Sequence, residues 1–259
     1  MGKKNRIPIK KPADIEKMRV AGSTASTILQ TAAAAIKPGV TTREIDLYAA
    51  ELMKEHSCRS AFLGYRGFPA YTCISVNDEV VHGIGSDRVI NDGDIVSIDV
   101  GVLKNGWIGD NALTVAVGNI SEEAKKLMQV TEQSLFEAIS YARAGLPLAD
   151  LCGAVEEYVT PHGYTVVKDL VGHGVGRNLH EEPQVPNYRP AGKSPILKAG
   201  MVLAIEPMIN EGTADVECLE DRWTIVTADG KLSSHFEHTV LITDGEPELL
   251  TDRPRLQFA

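Results

Sequence analysis

Residues 94–117 read DIVSIDVGVLKNGWIGDNALTVAV, and two features of that run decide how the chain folds. Asn105-Gly106 stands between two apolar stretches, and such a pair suits a two-residue hairpin turn because both residues accept positive φ. Alternation flanks the turn. Val96, Ile98, Val100 and Val102 point one way and Ser97, Asp99 and Gly101 the other; Leu113, Val115 and Val117 oppose Asp110, Ala112 and Thr114. A two-residue turn sets Asp110 against Gly101 and makes Asp99 its diagonal neighbour on the same face, about 7–8 Å away. A register shifted by two residues keeps both acids on one face, whereas a slip by one separates them. Two carboxylates on a half-buried face repel each other, and burying them without a cation is costly.

The same problem recurs further along. DGDIVSIDVG (92–101) aligns with AGMVLAIEPM (199–208), which sets Asp99 against Glu206. GDNALTV (109–115) aligns with FEHTVLI (236–242), which sets Asp110 against Glu237, and HGIG (82–85) recurs as HGVG (173–176). Helical spacing precedes each set: Ile15, Met18, Ala21, Ala25, Ile28, Leu29, Ala32 and Ile36 over 12–36, then Leu127, Val130, Leu135, Ala138 and Ala142 over 121–144. Pro38-Gly39 and Gly145 end those helices. Thr41 with Glu44 makes a capping box for a second helix to about Lys54, Ser121 caps the third, and a fourth covers 148–160. Gly39, Glu51 and His56 fall opposite Gly145, Glu157 and His162 without a gap. Strands are expected at 72–82, 94–103, 107–117, 165–172, 201–210, 222–227 and 235–243, with the Pro-rich stretch 183–195 an ordered surface loop. The reading is an α+β fold with a largely antiparallel sheet backed by two helix pairs. It forms one domain, 12–259, made of two pseudo-symmetric halves of about 12–120 and 121–248.

At 259 residues and 43% hydrophobic content the chain buries a sizeable core, and a formal net charge of −9 disfavours nucleic acid as a partner for the whole surface. Residues 1–11 run against that balance with Lys3, Lys4, Arg6, Lys10 and Lys11, which read as a solvated basic tail; a polyanion such as ribosomal RNA is the partner their charge admits. Cys58, Cys73, Cys152 and Cys218 show neither disulfide nor thiolate-zinc spacing. No apolar run approaches the roughly 20 residues of a membrane helix, and the basic start has no signal-peptide core. A soluble, cytoplasmic monomer is the expectation.

Four acids in apolar strands, with no Lys or Arg in those strands, call for a cation. His173, in GHGVG at a strand end, joins them, with His82 its duplicate and His180 seven residues on. One histidine with four carboxylates is an oxygen-rich set that suits Mn, Fe or Co as well as Zn. Two such ions deprotonate a water between them near neutral pH, which makes the chain a dinuclear metal hydrolase of unspecified substrate.

The ordered set Asp99, Asp110, His173, Glu206 and Glu237, within IDVG, GD, GHGVGRNLHEEP, IEPM and FEHT, resembles the methionine aminopeptidases in their type I, bacterial-like form, from about residue 8 to 248. The resemblance implies the duplicated pita-bread fold and removal of the N-terminal methionine of nascent chains with a small second residue. It implies two divalent ions, Asp99 on one, His173 and Glu206 on the other, Asp110 and Glu237 bridging, with a bridging hydroxide as nucleophile. By the same resemblance Glu206 also accepts the proton, His180 meets the scissile carbonyl oxygen and His82 the amide nitrogen. Tyr65, Cys73, Leu179 and Trp223 wall the methionine pocket with Phe62 at its rim, and Asn77 and Ser233 match positions that hold a monovalent cation. HGIG stands for the commoner HGIP, and Asn111-Ala112 for Thr-Ser, neither expected to touch a ligand. The rival readings are an Xaa-Pro aminopeptidase or dipeptidase on the same fold, disfavoured because no extra N-terminal domain fits, and a non-catalytic peptide- or RNA-binding relative.

Overall fold

The computed structural model describes residues 6–255. Its first half runs α1 (Pro12–Ala34), α2 (Thr42–Glu55), β1 (Arg59–Ser60), β2 (Cys73–Val76), β3 (Glu79–Val81), β4 (Ile95–Lys104) and β5 (Trp107–Ala116). The second runs α3 (Glu122–Ser140), α4 (Leu148–Val159), β6 (Thr165–Val166), β7 (Gly172–Gly174), β8 (Glu181–Val185), β9 (Val202–Ile205) and β10 (Met208–Asn210). It continues through β11 (Val216–Cys218), β12 (Ile225–Thr227), β13 (Ser233–His235), β14 (His238–Leu241) and β15 (Glu248–Leu249). Every pairing between these strands is antiparallel. Each half opens on a helix pair and continues into strands, and Gly39 and Gly145, matched by the repeat, share φ 91°.

Local chemistry starts the helices. Thr41 Oγ1 accepts from the Glu44 N–H at 3.2 Å while Glu44 Oε2 accepts from the Thr41 N–H at 2.7 Å, a reciprocal box worth about 1 kcal/mol. Ser121 Oγ accepts from the Ala124 N–H at 3.1 Å. The apolar stripes of α1 (Ile28, Leu29, Ala32) and α3 (Leu127, Leu135, Ala138) are buried in one core with Ile98 and Val100 of β4 and Leu203 and Ile205 of β9. Each large side chain buried there contributes roughly 1.5–3 kcal/mol. No helix among the described residues is long and apolar enough to cross a membrane.

The β4–β5 hairpin pairs Gly101 with Asp110 and Asp99 with Ala112, the expected register. Asn105 and Gly106 take φ of 52° and 78°, the positive pair of a tight hairpin turn. Elsewhere the expected strands are interrupted. The 72–82 run is β2 and β3 with Asn77 at φ 60° between them, and 165–172 yields only β6 and the start of β7. The 201–210 run breaks at Glu206-Pro207 because proline has no N–H to donate, and 235–243 breaks at Phe236-Glu237. Within 222–227 only β12 is strand, since Asp221 Oδ1 accepts from the N–H groups of Trp223 and Thr224 in a local turn. Helix α3 stops at Ser140, short of 144, because the chain turns out to bond other segments: Ala144 N–H donates to Thr243 O and Gly145 N–H to Leu197 O.

Two further expectations are corrected. The Pro-rich stretch is not all loop: Pro183 to Val185 belong to β8, an edge strand that tolerates proline. The basic segment is not wholly solvated either. Lys10 is 8% exposed and ion-paired with Glu181, while Arg6 and Lys11 are exposed and Lys3 and Lys4 lie outside the described residues.

Candidate metal centre and its cleft

Strand β5 is the seam between the halves. Along it Asp110, Ala112 and Thr114 meet Thr239, Glu237 and His235 in turn. Thr239 Oγ1 donates to Asp110 O at 2.7 Å and accepts from the Asp110 N–H at 3.2 Å. Glu237 N–H donates to Ala112 O at 2.8 Å, and Thr114 Oγ1 donates to His235 O at 2.9 Å. Ala112 therefore does touch an acidic residue, through its main chain, which any residue type supplies. Its neighbour Asn111 is fully buried, with Nδ2 donating to Val100 O at 3.0 Å. These bonds bring the carboxylates of both halves to one place.

Asp99, Asp110, His173, Glu206 and Glu237 all line one cavity of about 280 Å³. One ligand atom each from Asp110, His173 and Glu237 lie within 4.8 Å of one another, and all three residues are buried. His173 Nε2 is 3.5 Å from Glu206 Oε1 and 3.8 Å from Asp110 Oδ2, too far for hydrogen bonds. Donor atoms each about 2.1 Å from a shared ion stand roughly 3–3.5 Å apart, so the spacing fits a cation between them. Asp99 Oδ1 and Asp110 Oδ1 are buried with no hydrogen-bond partner. His173 Nδ1 is engaged by Gly174 O at 3.0 Å, which places the ring proton there and leaves Nε2 as a lone-pair donor facing the acids.

Burial, then mutual repulsion, lifts Asp99, Glu206 and Glu237 well above the ordinary carboxylate range, and burial pushes Asp110 up to about 7. Burial pulls His173 down to about 3, helped by nearby His180. Among the described residues the buried cation close by, Arg253, does not relieve the acids by contact. Its guanidinium donates to main-chain oxygens, Glu237 O at 3.0 Å and Ala112 O at 2.7 Å. Crowded buried carboxylates, two of whose oxygens have no hydrogen-bond partner, together with a neutral imidazole are a donor set that fits divalent metal.

The remaining cleft residues come from several loops and from Cys73 at the start of β2. His82, at φ 60° after β3, and His180 both line the cavity, and burial depresses both imidazoles. His180 Nδ1 lies 2.8 Å from Tyr65 Oη with the rings stacked. Phe62, Tyr65, Cys73, Leu179 and Trp223 form the apolar wall. Gly101 lies under that wall: a Cβ there would stand 2.4 Å from Phe62 and 3.0 Å from Asp110 Oδ1. The sequence reading missed Phe68, which packs edge-on to Trp223 at 5.1 Å, and Arg66, Asp169, Leu170 and Val171. Arg66 and Phe68 share the run YRGFP with Tyr65, which was the available signal; Asp169, Leu170 and Val171 carry none. It also missed His235, buried with Nε2 3.6 Å from Glu206 Oε2. Asn77 and Ser233 lie apart from the cleft lining and adjoin through the Ser233 N–H to Asn77 O bond of 2.9 Å.

Comparison with known proteins shows the family. Metallopeptidase family M24 matches residues 16–244. A methionine aminopeptidase of Clostridium perfringens is 49% identical over 245 residues, covering 95% of this chain and 98% of that one. The crystal structure of the methionine aminopeptidase of Thermotoga maritima superposes with a TM-score of 0.93 at 44% identity, over 96% of this chain and 100% of that one. A prolidase from Pyrococcus furiosus has the same architecture at TM-score 0.77 and 27% identity, with this chain spanning 66% of it. The fold is the duplicated pita-bread fold, and the chain belongs to the methionine aminopeptidases of metallopeptidase family M24.

Proposed function

We propose that this chain is a metal-dependent aminopeptidase that removes the N-terminal methionine from peptides and nascent proteins with a small second residue. The observation that carries the reading is the convergence of five ligand-type side chains, two further histidines and an apolar wall on one cavity. At about 280 Å³ that cavity lies at the small end of ligand pockets, which run roughly 300–1,000 Å³, and suits one side chain and its peptide bond. Its aromatic and aliphatic lining with Cys73 favours an unbranched thioether.

In this reading Asp99, Asp110, His173, Glu206 and Glu237 hold two divalent ions, drawn from Mn, Fe, Co or Zn. Bound there, the ions would lower the pKa of water and polarise the substrate carbonyl. Glu206 accepts the proton of the attacking water. Tyr65 O–H donates to His180 Nδ1, which leaves the His180 Nε2–H as donor to the carbonyl oxygen where negative charge develops. His82 faces the departing amide nitrogen and aids its protonation. Asn77 Oδ1 accepts from the Ile95 N–H and Ser233 Oγ donates to Asn210 Oδ1, so a monovalent cation at these positions would be held beside those hydrogen bonds. Residues 12–259 act as one catalytic domain, as a cytoplasmic monomer meeting emerging chains. Of the basic segment, Arg6 and Lys11 are exposed and available for ribosome contact, and Lys10 is not.

The test is turnover of Met-Ala-Ser against Ala-Pro-Ala by protein loaded with Mn, Fe, Co or Zn. Metal-dependent methionine release is expected; preferential release of Ala before Pro would favour the Xaa-Pro reading, and no turnover the non-catalytic one.

A further inference from the structure

Lys10 is the residue of the basic segment that the proposed chemistry does not use, and its surroundings point into the cleft. The main-chain N–H of Lys10 donates to Gly200 O at 2.7 Å, directly before α1 begins. From there the side chain turns inward and its ammonium pairs with Glu181 Oε2, the two side chains being 6% and 10% exposed. Glu181 Oε1 accepts from the N–H groups of Arg177, at 3.0 Å, and Asn178, at 3.2 Å. One carboxylate thus ties two N–H groups of the Gly176–Glu181 turn, those of Arg177 and Asn178, to a cation held by another part of the fold. Gly176 makes room for this: a Cβ there would lie 2.5 Å from Lys10 Nζ and 2.7 Å from Glu181 Oε1. The same turn carries His180, the carbonyl-facing donor of the reading above, and Leu179, buried in the pocket wall.

Resting on that functional reading, we propose that Lys10 is a positioning residue: its ion pair with Glu181 locks the turn that presents His180 and Leu179 to the substrate. A buried carboxylate stripped of its ion-pair partner seeks water, so the Arg177 and Asn178 N–H groups lose their acceptor and the turn loosens. A donor displaced by about 1 Å loses much of its value for developing charge. The segment ahead of α1 is then part of the catalytic apparatus although it contributes nothing to the cavity lining.

The experiment compares Lys10→Met, Lys10→Arg and wild type in metal-loaded full-length protein. Lys10→Met is expected to lower kcat for Met-Ala-Ser about 10- to 100-fold with unchanged metal stoichiometry, and Lys10→Arg, which keeps the cation, to recover most of it. Hydrogen exchange should quicken at 177–181 in Lys10→Met and stay unchanged in α3 and the β4–β5 hairpin. Should Lys10→Met fold poorly, Glu181→Gln, which removes the charge and keeps the shape, is expected to give the same local exchange and a smaller kcat loss. Wild-type kcat, unchanged exchange at 177–181, or exchange raised evenly across the chain would each overturn the proposal. If wild-type protein releases no methionine, the functional reading falls, while exchange at 177–181 still decides whether the ion pair holds the turn.

Discussion

The two acidic hairpins descend from one repeat and place their carboxylates differently. In the first half Asp99 and Asp110 sit on an unbroken ladder, each opposite a small residue, Ala112 and Gly101, so the acids are diagonal neighbours. In the second half, Ala204–Thr239 and Ile205–His238 on one side and Met208–His235 on the other share one register, and that register sets Glu206 directly against Glu237. The ladder is interrupted there, at Pro207, which has no N–H to donate, on one strand and at Phe236 on the other, and two like charges set opposite add to the cost of regular pairing. Regularity positions the first pair. Long-range hydrogen bonds position the second: Asn187 Nδ2 to Glu206 O at 3.0 Å, Arg253 to Glu237 O, and the Glu237 N–H to Ala112 O. A duplicated scaffold therefore carries an asymmetric centre, with one side built into secondary structure and the other hung from tertiary contacts.

If both sides serve one centre, removing a central ligand from either should be equally damaging. Asp110→Asn and Glu237→Gln are each expected to cut methionine release by at least about 10³-fold and to weaken metal binding in calorimetry, about 4 kcal/mol in transition-state terms. Activity retained in one variant alone would mean that only one half holds the metal that matters. Next in size is His180→Ala, which should lower kcat about 10²-fold, the usual scale for an oxyanion donor, with metal content by elemental analysis unchanged. Loss of metal would instead add His180 to the second half's ligands and redraw the comparison.

A smaller effect isolates the mode of support. Arg253→Met removes the donor to Glu237 O and Ala112 O; Ala112 O keeps the Glu237 N–H, so the main loss is at Glu237 O, about 1–3 kcal/mol. Metal affinity should fall about 10-fold with it, because Glu237 loses its anchor. Asn111→Ala in the first hairpin also removes a buried bond, Nδ2 to Val100 O, yet the ladder itself holds Asp110, so stability should drop with metal affinity unchanged. Equal losses of affinity in the two variants would erase the distinction between the hairpins.

That distinction also sorts what could be read from the sequence. Asn105-Gly106 and strict alternation determine the first hairpin locally, so its register was visible residue by residue. The second hairpin looked equally continuous, although Pro207 inside IEPM was a mark of interruption. Its supports leave no local trace. Arg253 lies in an unremarkable C-terminal stretch and reaches both Glu237 O and, 141 residues away, Ala112 O; Lys10, which holds the 176–181 turn, lies among other basic residues and finds Glu181 far along the chain. The cleft mouth at Asp169 was invisible for the same reason, since loop residues acquire meaning only where loops meet.

The last test asks whether the acids of both halves really crowd one another, and pH reads it without turnover. In metal-free protein Asp99, Glu206 and Glu237 are raised well above the ordinary carboxylate range by burial and repulsion. Each therefore retains a proton in the folded chain that the unfolded chain has already lost. A raised carboxyl stabilises fully below its unfolded pKa, and that contribution fades as pH climbs toward the folded value. Histidines act oppositely: His173 and His235, held down to about 3 by burial, make stability rise with pH until the unfolded imidazole titrates near 6.5. From pH 7 to pH 8 the unfolded imidazoles lose their remaining protons and their contribution levels off, so the falling slope belongs to the carboxylates, Asp110 at about 7 among them. Melting temperature of chelator-treated protein should fall across that unit of pH, by about 1.4 kcal/mol or roughly 3–5 °C for each proton retained. Manganese, by supplying the missing positive charge, should flatten the slope, so the gap between loaded and metal-free protein widens from pH 7 to pH 8. A gap of constant width would mean the carboxylates are already ionised and apart, and the shared centre of the two hairpins would have to be given up.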